Sequence, residues 1–227
     1  EFERVGMVLE AHDFSLYSPY PNAQTLSEWL KESHRLTLHI LDALKPGQEN
    51  VLYSPTLNPP YWEFGHIAWF HELWAHRLGN FSNLSILHQA DQLFNSALVA
   101  HRDRWQIEIP DISRIRAYLE TIYQKTQDKL QSSLSEQEAY YVQLVIFHQD
   151  MHNEAFAYMW QALGYPWFGG SDPDNEPPTS NNSFSTGELG HQSEDILVAS
   201  GSLILGAKPN SGFIFDNEKW SHGVHVP

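Results

Sequence analysis

His148 and His152 stand at two places in a helical stripe where a core helix would carry leucine or isoleucine. Between Tyr140 and Pro166 the apolar positions Tyr141, Val145, Ala155, Met159 and Ala162 recur at the helical period, and both histidines fall into that stripe. Residues four apart on a helix lie one above the other, about 5–6 Å between Cβ atoms, so two inward-facing imidazoles at this spacing can share one metal ion. The pair is either two hydrogen-bonded core histidines or two metal ligands. Under both readings the helix has to be enclosed by others.

The rest of the first 166 residues supplies such partners. Thr25-Leu26-Ser27-Glu28 reads as a capping box that opens a first helix, with Leu26, Leu30, Leu41 and Leu44 on its apolar face and Lys45-Pro46-Gly47 as its stop. Asn58-Pro59-Pro60, a cap followed by proline in the first turn, opens a second helix running to about Gly79 with the stripe Trp62, His66, Trp69, Leu73 and His76. A third helix is expected from Asp91 to about Trp105. Pro110-Asp111 caps a fourth, with Ile112, Ile115, Leu119, Ile122 and Leu130 apolar. Ser135-Glu136-Gln137-Glu138 is a second capping box, and it launches the long helix that carries His148 and His152 and stops at Gly164.

Composition changes after residue 167. Residues 168–195 are dense in Gly, Ser, Asn, Asp and Pro and read as a flexible linker, while residues 1–22 read as an irregular lead-in. Beyond the linker, Ile196-Leu197-Val198, Ser202-Leu203-Ile204-Leu205 and Gly212-Phe213-Ile214-Phe215 look like short strands. Three short strands do not make a stable sheet alone, so 196–227 either packs on the bundle or opens a second domain. The fold class expected is therefore mainly α, a four-helix bundle over 23–167 followed by a short β-containing tail.

Charge and cysteine usage narrow the function. A net charge of −15, with 28 acidic residues against 13 Lys and Arg, argues against nucleic acid and anionic membrane surfaces as partners. The absence of cysteine leaves His, Asp, Glu and water as the only ligands for a metal. No signal peptide and no apolar run near 18 residues is apparent, so a soluble cytoplasmic protein acting on small molecules is expected.

His66, His148 and His152 sit on core stripes of two long helices, the arrangement from which helical bundles build metal sites. Three neutral imidazoles leave a divalent ion its full charge and open coordination positions. Such a centre suits a zinc-activated water or a ferrous ion that takes oxygen and substrate together, and spacing leaves both open. His71 lies about 140° round the helix from His66 and should point elsewhere, and His76 and His34 are expected to be hydrogen-bonded or solvated. Glu154 should face away from the metal side.

Three motifs in order carry a resemblance: Asn58-Pro59-Pro60-Tyr61-Trp62-Glu63-Phe64-Gly65-His66-Ile67-Ala68-Trp69-Phe70; His148-x-x-x-His152-x-Glu154; and Gly201-Ser202-Leu203-Ile204-Leu205-Gly206 with Phe215-Asp216-Asn217-Glu218-Lys219-Trp220-Ser221-His222. Together they resemble the ergothioneine-biosynthesis sulfoxide synthases, or hercynine oxygenases, in which a DinB-like bundle precedes a domain of the formylglycine-generating-enzyme type. The resemblance implies that His66, His148 and His152 bind a non-haem Fe(II). It implies a reaction in which iron and O2 join a thiol to the imidazole C2 of hercynine with sulfoxide formation. It also implies, through the segment Asp91 to Trp105, that Arg104 binds carboxylates of the thiol substrate, although a surface arginine is the plain reading of that residue.

In that family the second domain supplies much of the pocket and a catalytic tyrosine. These have no counterpart in this chain, which therefore reads as an N-terminal portion, with Asp216 and Glu218 as structural turn residues. Two further functions fit the same bundle. One is selenoneine synthesis, joining selenium to hercynine at the same metal site. The other is a DinB-like thiol-dependent transferase or hydrolase using Zn or Ni, against which the strand-rich tail counts. A non-catalytic bundle with structural histidines is the third class, and it predicts no stoichiometric metal.

Overall fold

A computed structural model describes residues 21–166, 168, 199–209 and 211–227. Four helices form the bundle: α1 (Ala23–Ala43), α2 (Pro60–His71), α4 (Ile112–Lys129) and α5 (Glu136–Leu163). A one-turn helix α3 (Ala90–Leu93) and a 3-10 turn (His101–Trp105) lie in the connection between α2 and α4. The bundle closes as a ring in which α1 packs on α5, α5 on α2, α2 on α4 and α4 on α1.

The caps explain where the helices begin. Ser135 and Glu138 form the expected reciprocal box at the start of α5, and Asp111 accepts from Arg114 N at the start of α4. At α1 the cap is Asn22, whose side chain accepts from Thr25 N at 2.9 Å, so the helix starts ahead of the predicted Thr25 box. Asn58 does not cap α2. Its amide oxygen accepts from Arg104 Nη1 at 2.7 Å, and Pro59 holds the cap position without a side-chain bond.

The expected third helix is two short pieces. Asn95 interrupts it: its side chain accepts from Ala97 N at 2.9 Å and its carbonyl from Leu98 N and Val99 N, so local bonds displace the helical ladder. The second helix does reach the region of Gly79, but its last turn, Glu72–His76, is π-helical, with Arg77 N bonded to Glu72 O at 3.1 Å.

α5 is buried on two sides. Val145, Ala155 and Met159 lie in the interior as the stripe predicts, whereas Ala162 is exposed. A second face carrying Val142, Ile146, Gln149 and Asn153 is buried on the side toward α1. There Gln149 Nε2 donates to Thr37 Oγ1 (2.7 Å), whose hydroxyl is shared between Asn153 Oδ1 (2.8 Å) and the Ser33 carbonyl (3.0 Å). Asn153 Nδ2 donates to the Ser33 carbonyl at 3.1 Å, so the buried polar groups satisfy one another and fix the register of α1 on α5. That register turns His148 and His152 toward α2.

In the tail, β1 (Gly201–Leu205) pairs antiparallel with β2 (His222–Val226), in the register Gly201 opposite Val226. Gly212–Phe215, expected as a strand, is irregular: Ile214 is buried, and Phe213 stacks on Tyr140 of α5 at 5.1 Å and meets Phe147 edge-on at 5.0 Å. Aromatic docking on the bundle, with Tyr140 Oη donating to the Ile214 carbonyl at 3.0 Å, replaces strand pairing there. Ile196-Leu197-Val198, most of the 168–195 linker and most of the 1–22 lead-in lie outside the described residues.

Candidate metal centre

His66 from α2 meets His148 and His152 from α5 inside the bundle. Among the described residues these three form the one group whose candidate ligand atoms all lie within 4.8 Å of one another. His148 Nε2 and His152 Nε2 are 3.2 Å apart. Two ligands at about 2.1 Å from one ion subtending roughly 100° have that separation.

Each ring is set by its surroundings. His66 Nδ1 lies 2.8 Å from the Phe94 carbonyl, which only accepts, so Nδ1 carries the proton and Nε2 presents its lone pair. His152 Nδ1 lies 2.7 Å from Glu63 Oε1, which leaves its Nε2 available in the same way. Trp62 stacks on His66 with centroids 5.1 Å apart, and Phe70 stacks on His148 at 3.6 Å and 11°. These aromatic walls hold the ring planes.

Burial, and secondarily repulsion from His152, push the His66 pKa down to about 3. Burial pushes His148 well below its ordinary value, with His152 and His66 adding to the effect. Both rings are neutral at pH 7, the form that binds a metal. The donor set fits a divalent ion of borderline character: three imidazole nitrogens from two helices, two of them with the opposite nitrogen already hydrogen-bonded.

Residues 29–156 match the sequence model of the DinB superfamily. The chain belongs to that superfamily. The match takes in residues of all four bundle helices, and with them the two, α2 and α5, that carry the three histidines. The chain is 26% identical over 211 residues to a hercynine oxygenase of Mycolicibacterium smegmatis, covering 90% of this chain and 46% of that protein. It is 24% identical over 213 residues to a hercynine oxygenase of Mycolicibacterium thermoresistibile, covering 91% of this chain and 45% of that one. A hercynine oxygenase of Mycobacterium tuberculosis is 29% identical over 113 residues, 49% of this chain and 26% of its own length. The chain thus spans about half the length of the first two relatives, and the family resemblance drawn from its motifs is borne out.

The other histidines are placed differently. His71 Nε2 and His76 Nε2 both contact Thr126 Oγ1, at 2.9 and 2.8 Å, and His34 stacks on Tyr123 with centroids 4.1 Å apart. His71 and His76 share a partner because the π turn intervenes: residues five apart diverge on an α-helix but nearly superpose on an i→i+5 helix. Glu154 is not part of the histidine cluster, as expected, but it is exposed rather than packed against a neighbouring helix.

The carboxylate that sequence reasoning missed is Glu63, 1% exposed in the first turn of α2. Its one legible signal is a lone acid inside the apolar run Pro60-Tyr61-Trp62-Glu63-Phe64, three residues before His66. Arg104 belongs to the 3-10 turn, which His101 Nε2 on the Leu57 carbonyl (2.8 Å) and Trp105 Nε1 on the Val51 carbonyl (3.0 Å) tie to the loop before α2. Its guanidinium lies 4.1 Å from the Trp62 ring centroid, so arginine, indole and the His66 imidazole form one stack.

Proposed function

We propose that this chain is the metal-binding bundle, with the opening of a second domain at 196–227, of an oxygenase that joins a thiol sulfur to C2 of the hercynine imidazole with sulfoxide formation. The observation that carries the reading is the convergence of three imidazole nitrogens, two of them backed through Nδ1 by Phe94 and Glu63. Similarity to three proteins named hercynine oxygenase supports it. Oxygenase chemistry also favours Fe(II) over zinc, which has no redox states to offer. When bound, Fe(II) would supply the activation of O2 that the protein's side chains lack.

The chain's own residues bind and orient. His66, His148 and His152 would hold the ion and leave the rest of its coordination positions open to substrates. Trp62, Trp69 and Phe70 crowd the ligand rings and limit water around them. Arg104 is the group we assign to a carboxylate of the thiol substrate. It stands one ring away from His66, Asn58 fixes its Nη1, and its buried Nε has no hydrogen-bond partner among the described residues. Bidentate capture there would set the distance of the sulfur from the reacting imidazole.

The test is anaerobic purification with Fe(II) and measurement of bound metal in the parent and in His66→Ala, His148→Ala and His152→Ala. One ion per parent chain, lost in all three variants, is the expected result. Binding indifferent to all three changes would overturn the metal reading. Oxygen-dependent assays with hercynine and a thiol, with the sulfoxide detected by mass, then test the reaction on the longest available form of the protein. Formation of a selenium-linked product from a selenol donor would identify the related chemistry instead.

A further inference from the structure

Two backbone carbonyls that set the metal face come from a segment with little stability of its own. Leu93 O accepts from Trp62 Nε1 at 2.8 Å, and Phe94 O faces His66 Nδ1 at 2.8 Å. Both belong to α3 or its C-cap, a helix of four residues, far below the length at which a helix persists unaided. Asp91 anchors it. Its carboxylate accepts from Arg77 Nη1 (2.8 Å) and Nη2 (2.7 Å) and from Trp69 Nε1 (2.8 Å). The ties therefore leave the second helix at residues 62, 66, 69 and 77 and all land on residues 91–94. Gly65 completes the fit: a Cβ there would stand 2.2 Å from Phe94 Cε1, so its absence lets the Phe94 ring close on α2 beside His66.

We propose that Asp91 is a positioning residue for the metal centre: gripped by Arg77 and Trp69, it holds the Phe94 carbonyl that keeps the His66 proton on Nδ1 and turns Nε2 toward His148 and His152. This rests on reading the three histidines as a metal centre. With the Arg77 side chain buried and Asp91 only partly exposed, the pair is a poor means of simple stabilisation, since apolar side chains of similar volume do as well in such a place. The pair is also incompletely satisfied, because Arg77, 4% exposed, has no hydrogen-bond partner at Nε among the described residues. What a bidentate fork adds is direction. Here the direction it fixes is that of the turn presenting the Phe94 carbonyl.

The test reads the His66 ring in the metal-free chain, labelled with 15N-histidine, by long-range 1H–15N correlation. The signal is assigned by its disappearance in His66→Gln. Fe(II) affinity is measured alongside by anaerobic competition with a chelator. The parent is expected to show the Nδ1–H tautomer alone. In Asp91→Asn a mixture of tautomers and an affinity weakened about 10–100-fold are expected.

Asp91→Asn leaves Arg77 buried without its full partner and can unfold the chain, so Arg77→Met/Asp91→Leu, which removes both charges, serves as the folded comparison. It should show the same mixture and the same weakening, and Arg77→Lys, which keeps the charge without the fork, a smaller one. A folded double variant with the parent's tautomer and affinity, at whatever thermal stability, overturns the proposal and reduces the pair to a staple. A parent that binds no Fe(II) overturns the metal reading instead, and the tautomer measurement still decides the role of Asp91.

Discussion

Two groups of buried histidines meet on the second helix, one shared with α5 and one facing α4, and they use different ring nitrogens. In the first, His66 and His152 engage the Phe94 carbonyl and Glu63 through Nδ1, which leaves Nε2 atoms facing one another. In the second, His71 and His76 direct Nε2 at the single hydroxyl of Thr126, which itself donates to the Ile122 carbonyl at 2.9 Å. A hydroxyl has one proton and two lone pairs, so that arrangement is closed. Placement in the core does not separate the clustered histidines from those tied to Thr126. The nitrogen already in use does.

Substitution of the two groups should break the comparison most sharply. His148→Ala is expected to abolish stoichiometric metal binding, whereas His71→Gln should leave one ion per chain, both read by elemental analysis of the purified protein. Glu63→Gln comes next: it keeps the shape and removes the charge behind His152, and a chelator competition should show affinity reduced about 10–100-fold with folding retained. Thr126→Val acts only on the second group. It leaves two imidazole donors without an acceptor, at a cost of about 1–3 kcal/mol in urea unfolding, and metal content should not change.

The gentlest perturbation is acid. Burial pushes His34 and His76 down to about 4, so between pH 6.5 and about 4 the unfolded chain binds protons that the folded chain does not. The contribution of these two groups to the stability of the metal-free protein is therefore complete above pH 6.5, falls as pH drops toward 4, and takes no further loss below that. The urea midpoint measured against pH checks the window, and His76→Gln should make its slope shallower.

The helices that form the bundle were legible because their signals are local. The Ser135 box, the Asp111 cap and the Gly164 stop act within a turn of themselves. The clustering of His66, His148 and His152 was legible because a polar residue on an apolar stripe violates the pattern around it. What failed depended on distant partners. Asn58 looks like a cap until Arg104, 46 residues away, takes its oxygen. Glu63 looks like a surface acid until His152, 89 residues away, donates to it. β2 left no alternating pattern because most of its residues are exposed, so no face had to be apolar. Gly212–Phe215 had the residues of a strand, and its phenyl rings found Tyr140 and Phe147 instead.

The π turn of Glu72–His76 amounts to one residue more than an α-helix needs to cover the same rise. Everything before it, including His66, is phased by the start of α2. The end of the turn and all that follows are rotated by the extra residue, including His76 on Thr126 and Arg77 on Asp91. Deleting a single residue from the turn would return the helix to one continuous phase and swing both side chains by about 100°, with His66 on the upstream turn left in place. A one-residue length change is thus a lever that separates the support of this centre from the centre itself.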